Sequence, residues 1–276
     1  MSFRFELMLS LLITAAVYTA SRRAAADTPH LLRVCADPNN LPFSNQRAEG
    51  FENRIASVIG RDLDLSVRYT WWPHGRGLVQ NALNAGRCDM IMGVPAGFEG
   101  VVRTSPYYRS TYVFVTRRDQ PLQIRSLDDS VLHRLRIGVH LLADDHADLP
   151  PAQALARRGL SANVIGYNLY GDSSKPNPPG NLIRAVARGE VDVAIAWGPL
   201  AGYFAHRVRE PLELVPVTAG ADLPSPAFVI AIAAGVRRGD TQMRDRIQAA
   251  LDRHRDEIRD ILQSYGVPLM PPAARP

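Results

Sequence analysis

The chain has 276 residues, a hydrophobic share of 46% and a formal charge of +5. That length and composition support one large or two modest globular domains. The basic excess is slight, carries no Lys/Arg run with interleaved aromatics, and excludes a nucleic-acid surface. A single lysine, Lys175, among 32 basic residues reflects arginine-rich coding rather than a demand for bidentate contacts.

Arg4 is followed by an uncharged apolar run from Leu7 to Ala20, then by Ala24-Ala25-Ala26 before Asp27. That order reads as a secretory signal over residues 1–26. The run is short for a bilayer span, and no later segment is long and apolar enough for one. Export to an oxidising compartment invites a bond between the two cysteines, Cys35 and Cys88. Strand placement argues against it. With Cys35 late in one strand and Cys88 at the start of a parallel neighbour, the offset puts their Cα atoms beyond bridging reach.

The exported part alternates strand and helix signals. Leu32 to Ala36 is a strand, Gly50 to Leu63 an amphipathic helix, Leu65 to Trp72 a strand, Leu78 to Ala85 a short helix, and Asp89 to Val94 a buried strand. Such a βαβαβ series implies a parallel sheet with right-handed crossovers. A strand at Thr111 to Thr116 leads into the polar stretch Arg117 to Pro121.

The pattern then restarts. Strands are expected at Arg136–Val139, Asn163–Tyr167, Val191–Trp197 and Leu212–Val217, with helices at Pro151–Arg158 and Leu182–Arg188. The Gly171–Gly180 loop is too rich in proline and glycine for regular structure. An apolar strand from Phe228 to Val236 and one long helix from Asp240 to Ser264 close the chain, before a loose PPAARP tail. No internal repeat is visible.

The expected architecture is α/β with two lobes. Residues 27–116 plus 227–276 form the first, and 117–226 form an inserted second. Two hinge crossings, near Arg117–Pro121 and Thr218–Pro226, leave a cleft between the lobes.

Residues at the carboxyl ends of parallel strands are the ligand candidates. After the first strand come Asp37, Asn39, Asn40, Phe43 and Ser44, which either read polar groups or hold a turn together. Glu52 opens the following helix. Trp72 and Arg76 close the second strand, as a stacking platform and an anion partner, or as packing and surface. Arg103, Tyr107, Tyr108 and Arg109 surround Ser105-Pro106. Trp197 and Tyr203 sit at a strand-to-helix turn of the second lobe, where they either contact a ligand or plug the cleft. His140, Asp144, Asp145, His146 and Asp148 match no metal-loop spacing and read as a solvated acidic turn. There is no nucleophile elbow, phosphate loop or zinc motif, so no catalytic residue is assigned.

The ordered motifs LLRV, DP, LPF and GFE at the start, RCDM and SPYY in the middle, and GEVDVA in the second lobe resemble those of type-2 periplasmic solute-binding proteins of the family 3 kind. VCADPNNLPFSN, GFENRIA, WWPHGRG, CDMIMGVP, TSPYYRSTYVFV and AWGPLAGYFA are similar, more narrowly, to the MoxJ/XoxJ type. That resemblance implies the Venus-flytrap fold, a Gram-negative periplasmic location and a non-catalytic accessory role beside an alcohol dehydrogenase that uses pyrroloquinoline quinone, or beside its cytochrome c. The broader family implies the alternative, a solute receptor for an ABC transporter permease. No cofactor is expected in the chain itself, and a monomer is expected.

Amino-acid-binding members of the family grip the ligand carboxylate with an arginine where this chain has Gly97. They hold the ammonium with an acid where it has Trp197-Gly198-Pro199. On that resemblance a standard amino acid is rejected as ligand, and Arg103 or Arg109 becomes the remaining candidate anion clamp.

Overall fold

A computed structural model describes residues 30–73, 77–142, 149–169, 178–218 and 228–271. The expected signal, the acidic turn beyond His140, residues 171–177 of the proline-rich loop, residues 219–226 of the second crossing and Arg76 lie outside the described residues, as does the tail after Pro271; the end of that loop, Pro178–Gly180, forms a short helical turn where no regular structure was expected.

Leu31–Ala36 (β1), Ser66–Trp71 (β4) and Met90–Pro95 (β5) build a parallel sheet, with β1 in the middle. A small hairpin of Asn39–Asn40 (β2) and Ser44–Asn45 (β3) follows β1. Helix α1 (Phe51–Asp62) then covers one sheet face with Phe51, Ile55 and Ile59, each fully buried. The i, i+4, i+8 spacing of these residues forms its apolar stripe. At its start the Asn53 side chain accepts from Gly50 N–H and Asn45 N–H, capping a terminus whose amides have no partner within the helix. The next expected helix is a single wide turn over Leu78–Leu83.

Val102–Arg103 (β6) is short. Tyr108–Arg117 (β7) is the longest strand, and it changes partners part-way. Tyr108 to Thr111 pair with Val229–Val236 (β12), whereas Tyr112 to Val115 pair with Val193–Trp197 (β10). The change falls between Thr111 and Tyr112, inside the strand and upstream of the Arg117–Pro121 stretch that the polar composition suggested. A crossing made within a hydrogen-bonded strand leaves no polar linker to be read.

Beyond it the second lobe repeats the first. Ile137–Leu141 (β8) lies between Val164–Asn168 (β9) and β10 in parallel, as β1 lies between β4 and β5. The antiparallel neighbour is β7 in the second lobe and β12 in the first, and Leu212–Pro216 (β11) flanks β7. Helices α2 (Pro150–Arg157), α3 (Asn181–Ala187) and α4 (Gly198–Ala205) cover the faces. The chain therefore does contain an internal repeat, carried by topology and not by side-chain identity. The carboxyl ends of the parallel strands in both lobes point at the β7–β12 crossing, which defines the cleft.

Two expectations need correction. The single C-terminal helix is two, α5 (Thr241–Arg253) and α6 (Arg255–Ser264). At the break His254 Nε2 lies 3.0 Å from Asp62 Oδ1 and Nδ1 lies 3.1 Å from Glu257 Oε2, so the ring serves a charged cluster with Arg253 and not the core. The cysteines are also bridged, with Cα atoms 5.5 Å apart. Asp89 N–H bonds Arg33 O at 2.7 Å, and the chain reaches β5 from the sheet face on which Cys35 lies. Cys88 thus sits across that face and not further down a strand. Both sulfurs are buried with Leu78, Ala82, Leu83 and Ile91.

Candidate functional site

The loop after β1 is largely self-contained. Asp37 Oδ1 accepts from Asn39 N–H at 2.7 Å, and Ser44 Oγ donates to Asp37 O at 2.8 Å. Asn40 and Ser44 are buried, and Asn40 O accepts from Phe43 N–H. Phe43 lays its ring edge-on to Phe51, 5.2 Å between centroids. Most polar groups of this loop hold the Leu41-Pro42 turn and the start of α1 in place.

The two tryptophans separate, as alternation along a strand requires. Trp71 stacks on Tyr69 at 4.7 Å. Trp72 packs with the disulfide cluster, and the Arg87 guanidinium covers it at 5.5 Å.

The arginine candidates diverge. Arg103 pairs with Gly235, level with Met90 and Ile91, so it lies at the sheet end away from the cleft. Arg109 lies at the crossing, yet its Nη1 donates to Pro271 O at 2.7 Å. Tyr108 packs on Phe51.

Tyr107 and Glu52 come together with Gly93, which sits at φ +72° where β5 slips register against β12. A side chain at Gly93 would put its Cβ 2.4 Å from Glu52 Oε1, so only glycine lets the carboxyl settle there. Burial pushes the Glu52 carboxyl up to about 8. Desolvation comes first and the neighbouring Glu52 second in raising Tyr107 well above the usual phenol range. The Tyr107 hydroxyl is buried beside the Gly93 backbone. This pairing was not visible in the sequence; the one available signal was a glycine inside an apolar strand.

In the second lobe, Trp197 ends β10 opposite Tyr112. Its ring lies 5.4 Å from Tyr112, which also meets Phe228 at 5.9 Å. Trp197 packs between the second-lobe cluster around Phe114 and Ile195 and a larger cluster that runs from the second lobe into the first. An aromatic wedge therefore stands at the hinge end of the cleft. Tyr203 is buried elsewhere, stacked on Tyr265 with ring planes 13° apart, and Arg207 caps it at 3.5 Å. His140, expected in a solvated turn, is buried at the end of β8 with Nε2 3.0 Å from Pro179 O. Burial lowers it to about 4, against the opposing bond to Pro179, so it is neutral.

A family model for bacterial extracellular solute-binding proteins, family 3, matches residues 32–267. The chain belongs to that family. This family 3 member is 30% identical over 267 residues to Protein MoxJ of Methylorubrum extorquens, covering 91% of this chain and 86% of the relative. Among solved structures it is similar to the periplasmic binding protein XoxJ from Methylobacterium extorquens AM1. There the identity is 31% and the TM-score 0.71, over 88% of this chain and all of the other. MxaJ from Methlophaga aminisulfidivorans shares the fold at 24% identity, with a TM-score of 0.75 over 87% and 100% of the two chains. The two-lobed architecture expected from the motifs is thereby shown, and so is the MoxJ/XoxJ likeness.

Proposed function

We propose that this protein is a periplasmic, non-catalytic accessory of a dehydrogenase system that oxidises methanol or a related alcohol with pyrroloquinoline quinone. The observation that carries this reading is the match to MoxJ along nearly the whole chain, with XoxJ and MxaJ as structural relatives.

The cleft chemistry is in keeping with it. Trp197 stands where an ammonium-binding acid would be needed, and it is engaged by Tyr112. Arg109 donates to the chain's own carbonyl. A zwitterion closed into such a cleft would leave charges unpaired, at a cost of several kcal/mol. The loop residues Asp37, Asn39 and Ser44 serve the turn, and the partner surface belongs outside the cleft.

The test is capture from periplasm. The tagged mature protein should retain a quinoprotein alcohol dehydrogenase or its cytochrome c, and deleting the gene should lower dehydrogenase activity without changing solute uptake. Loss of uptake of one solute with normal dehydrogenase activity would favour the ABC transporter reading instead.

A further inference from the structure

The segment after α6 runs across both lobes. Tyr265 is anchored to the first lobe, where its hydroxyl donates to Glu49 O and its ring meets Phe51 at 5.8 Å. Its other face stacks on Tyr203 of α4, in the second lobe. Val267 N–H returns to Leu262 O, so the segment leaves α6 as a fixed turn. It then follows β7 through the crossing. Ser110 Oγ donates to Pro268 O at 2.7 Å, Met270 N–H to Arg109 O at 2.9 Å, and Arg109 Nη1 to Pro271 O at 2.7 Å.

The second lobe is pressed against this segment with no room to spare. A Cβ at Gly202 would fall 1.9 Å from Gly266 O, and one at Gly198 would fall 2.4 Å from Pro268 Cγ and 2.6 Å from Thr111 O. Two glycines one helical turn apart, on the face of α4 turned to the strap, let helix and strap touch backbone to backbone. Hinge closure in two-lobed proteins requires a few residues free to absorb φ/ψ changes and surfaces free to slide. Here the crossing residues Arg109 and Ser110 are bonded to the strap. A rotation of α4 would drive its backbone into Gly266 or pull Tyr203 from Tyr265.

We infer that residues 265–271 form a strap that fixes the angle between the lobes, so that the cleft is held at one opening and does not clamp shut. The inference does not depend on the partner or on whether the cleft holds a solute.

Spin labels at Arg68→Cys and Ile165→Cys report the angle, because these exposed residues lie on β4 and β9, the two end strands of the sheet. Pulsed electron resonance on the mature protein should give one narrow distance. Gly202→Ala, which forces helix and strap apart, should broaden or shift it. The pair Arg109→Ala and Ser110→Ala removes strap bonds without adding volume, and should broaden it as well. Circular dichroism and cooperative melting establish that each variant is folded. A broad or bimodal distribution in the unaltered background overturns the strap. So do distances unchanged in both folded variants.

Discussion

Arg33 wraps Asp89. Its backbone N–H and Nε donate to Oδ2, Nη2 donates to Oδ1, and Nη1 donates to Gly86 O, at 2.5 to 3.0 Å. Arg136 does the same to Asp192 and Gly189 O in the second lobe, across the same sequence separation of 56 residues. Each pair ties the start of one parallel strand to the turn before its neighbour.

The two pairs differ in exposure. The Asp89 side chain is 11% exposed and also lies 3.6 Å from Arg237, whereas Asp192 is 30% exposed. Asp89→Ala should therefore cost about 2–3 kcal/mol, the range for a lost bond to a buried charge, and Asp192→Ala about 1 kcal/mol. Burial opposes the charge on Asp89, but the bonds from Arg33 hold its carboxyl below the usual range. Its stabilisation is present above the unfolded carboxylate pKa and is lost as pH falls through the lower folded value. Urea titrations at neutral and acid pH check both points.

His140 titrates in the other accessible window. Its folded value near 4, against 6.5 when unfolded, means that the unfolded chain takes up a proton first. Stability should fall by about 3 kcal/mol as pH drops from 6.5 to 4. His140→Gln, which keeps a donor for Pro179 O, should flatten that decline in thermal melts.

Glu52 has the opposite sign. With a folded value of about 8 against 4.5 unfolded, its contribution is complete below pH 4.5 and is lost as pH rises through 8. Glu52→Gln should melt higher than the unaltered protein at pH 8 and equally at pH 4.5.

The disulfide closes a loop with a sequence separation of 53, which chain entropy translates to about 4 kcal/mol. Cys35→Ser with Cys88→Ser should lower stability by that order. Hydrogen exchange should show the loss in β1 and β5 and leave β8–β10 unaffected.

No standard α-amino acid should bind. Calorimetry with a pooled set should give no saturable heat, and binding of any one would overturn the argument from Gly97 and Trp197.

Strand and helix alternation was legible because α1 buries a stripe at helical spacing and β5, β10 and β12 are short apolar runs buried along most of their length. What stayed hidden depends on contacts remote in sequence. The change of partner inside β7 is invisible in an unbroken apolar run. The helix break at His254 answers to Asp62, on α1. Cys88 approaches Cys35 through a turn whose direction no local pattern encodes. The first residue of the loose-looking tail, Pro271, is held by Arg109, which therefore turned out to grip main chain. The Glu52–Tyr107–Gly93 cluster joins three elements and announces itself only through a glycine in a strand.

Strand β12 lies between β5 and β7 in the middle of the first lobe's sheet, yet it comes from the last quarter of the chain. The described strands of the second lobe all fall between Tyr112 and Thr218, so it can be assembled while the remainder is still being made. The first lobe cannot. Although its strands emerge earliest, β5 and the first half of β7 present bare edges until Val229–Val236 arrives, and bare edges invite wrong pairing. The half of the protein that is synthesised first is thus finished last, and a chain cut short before β12 should be a substrate for proteolysis and not a smaller working protein.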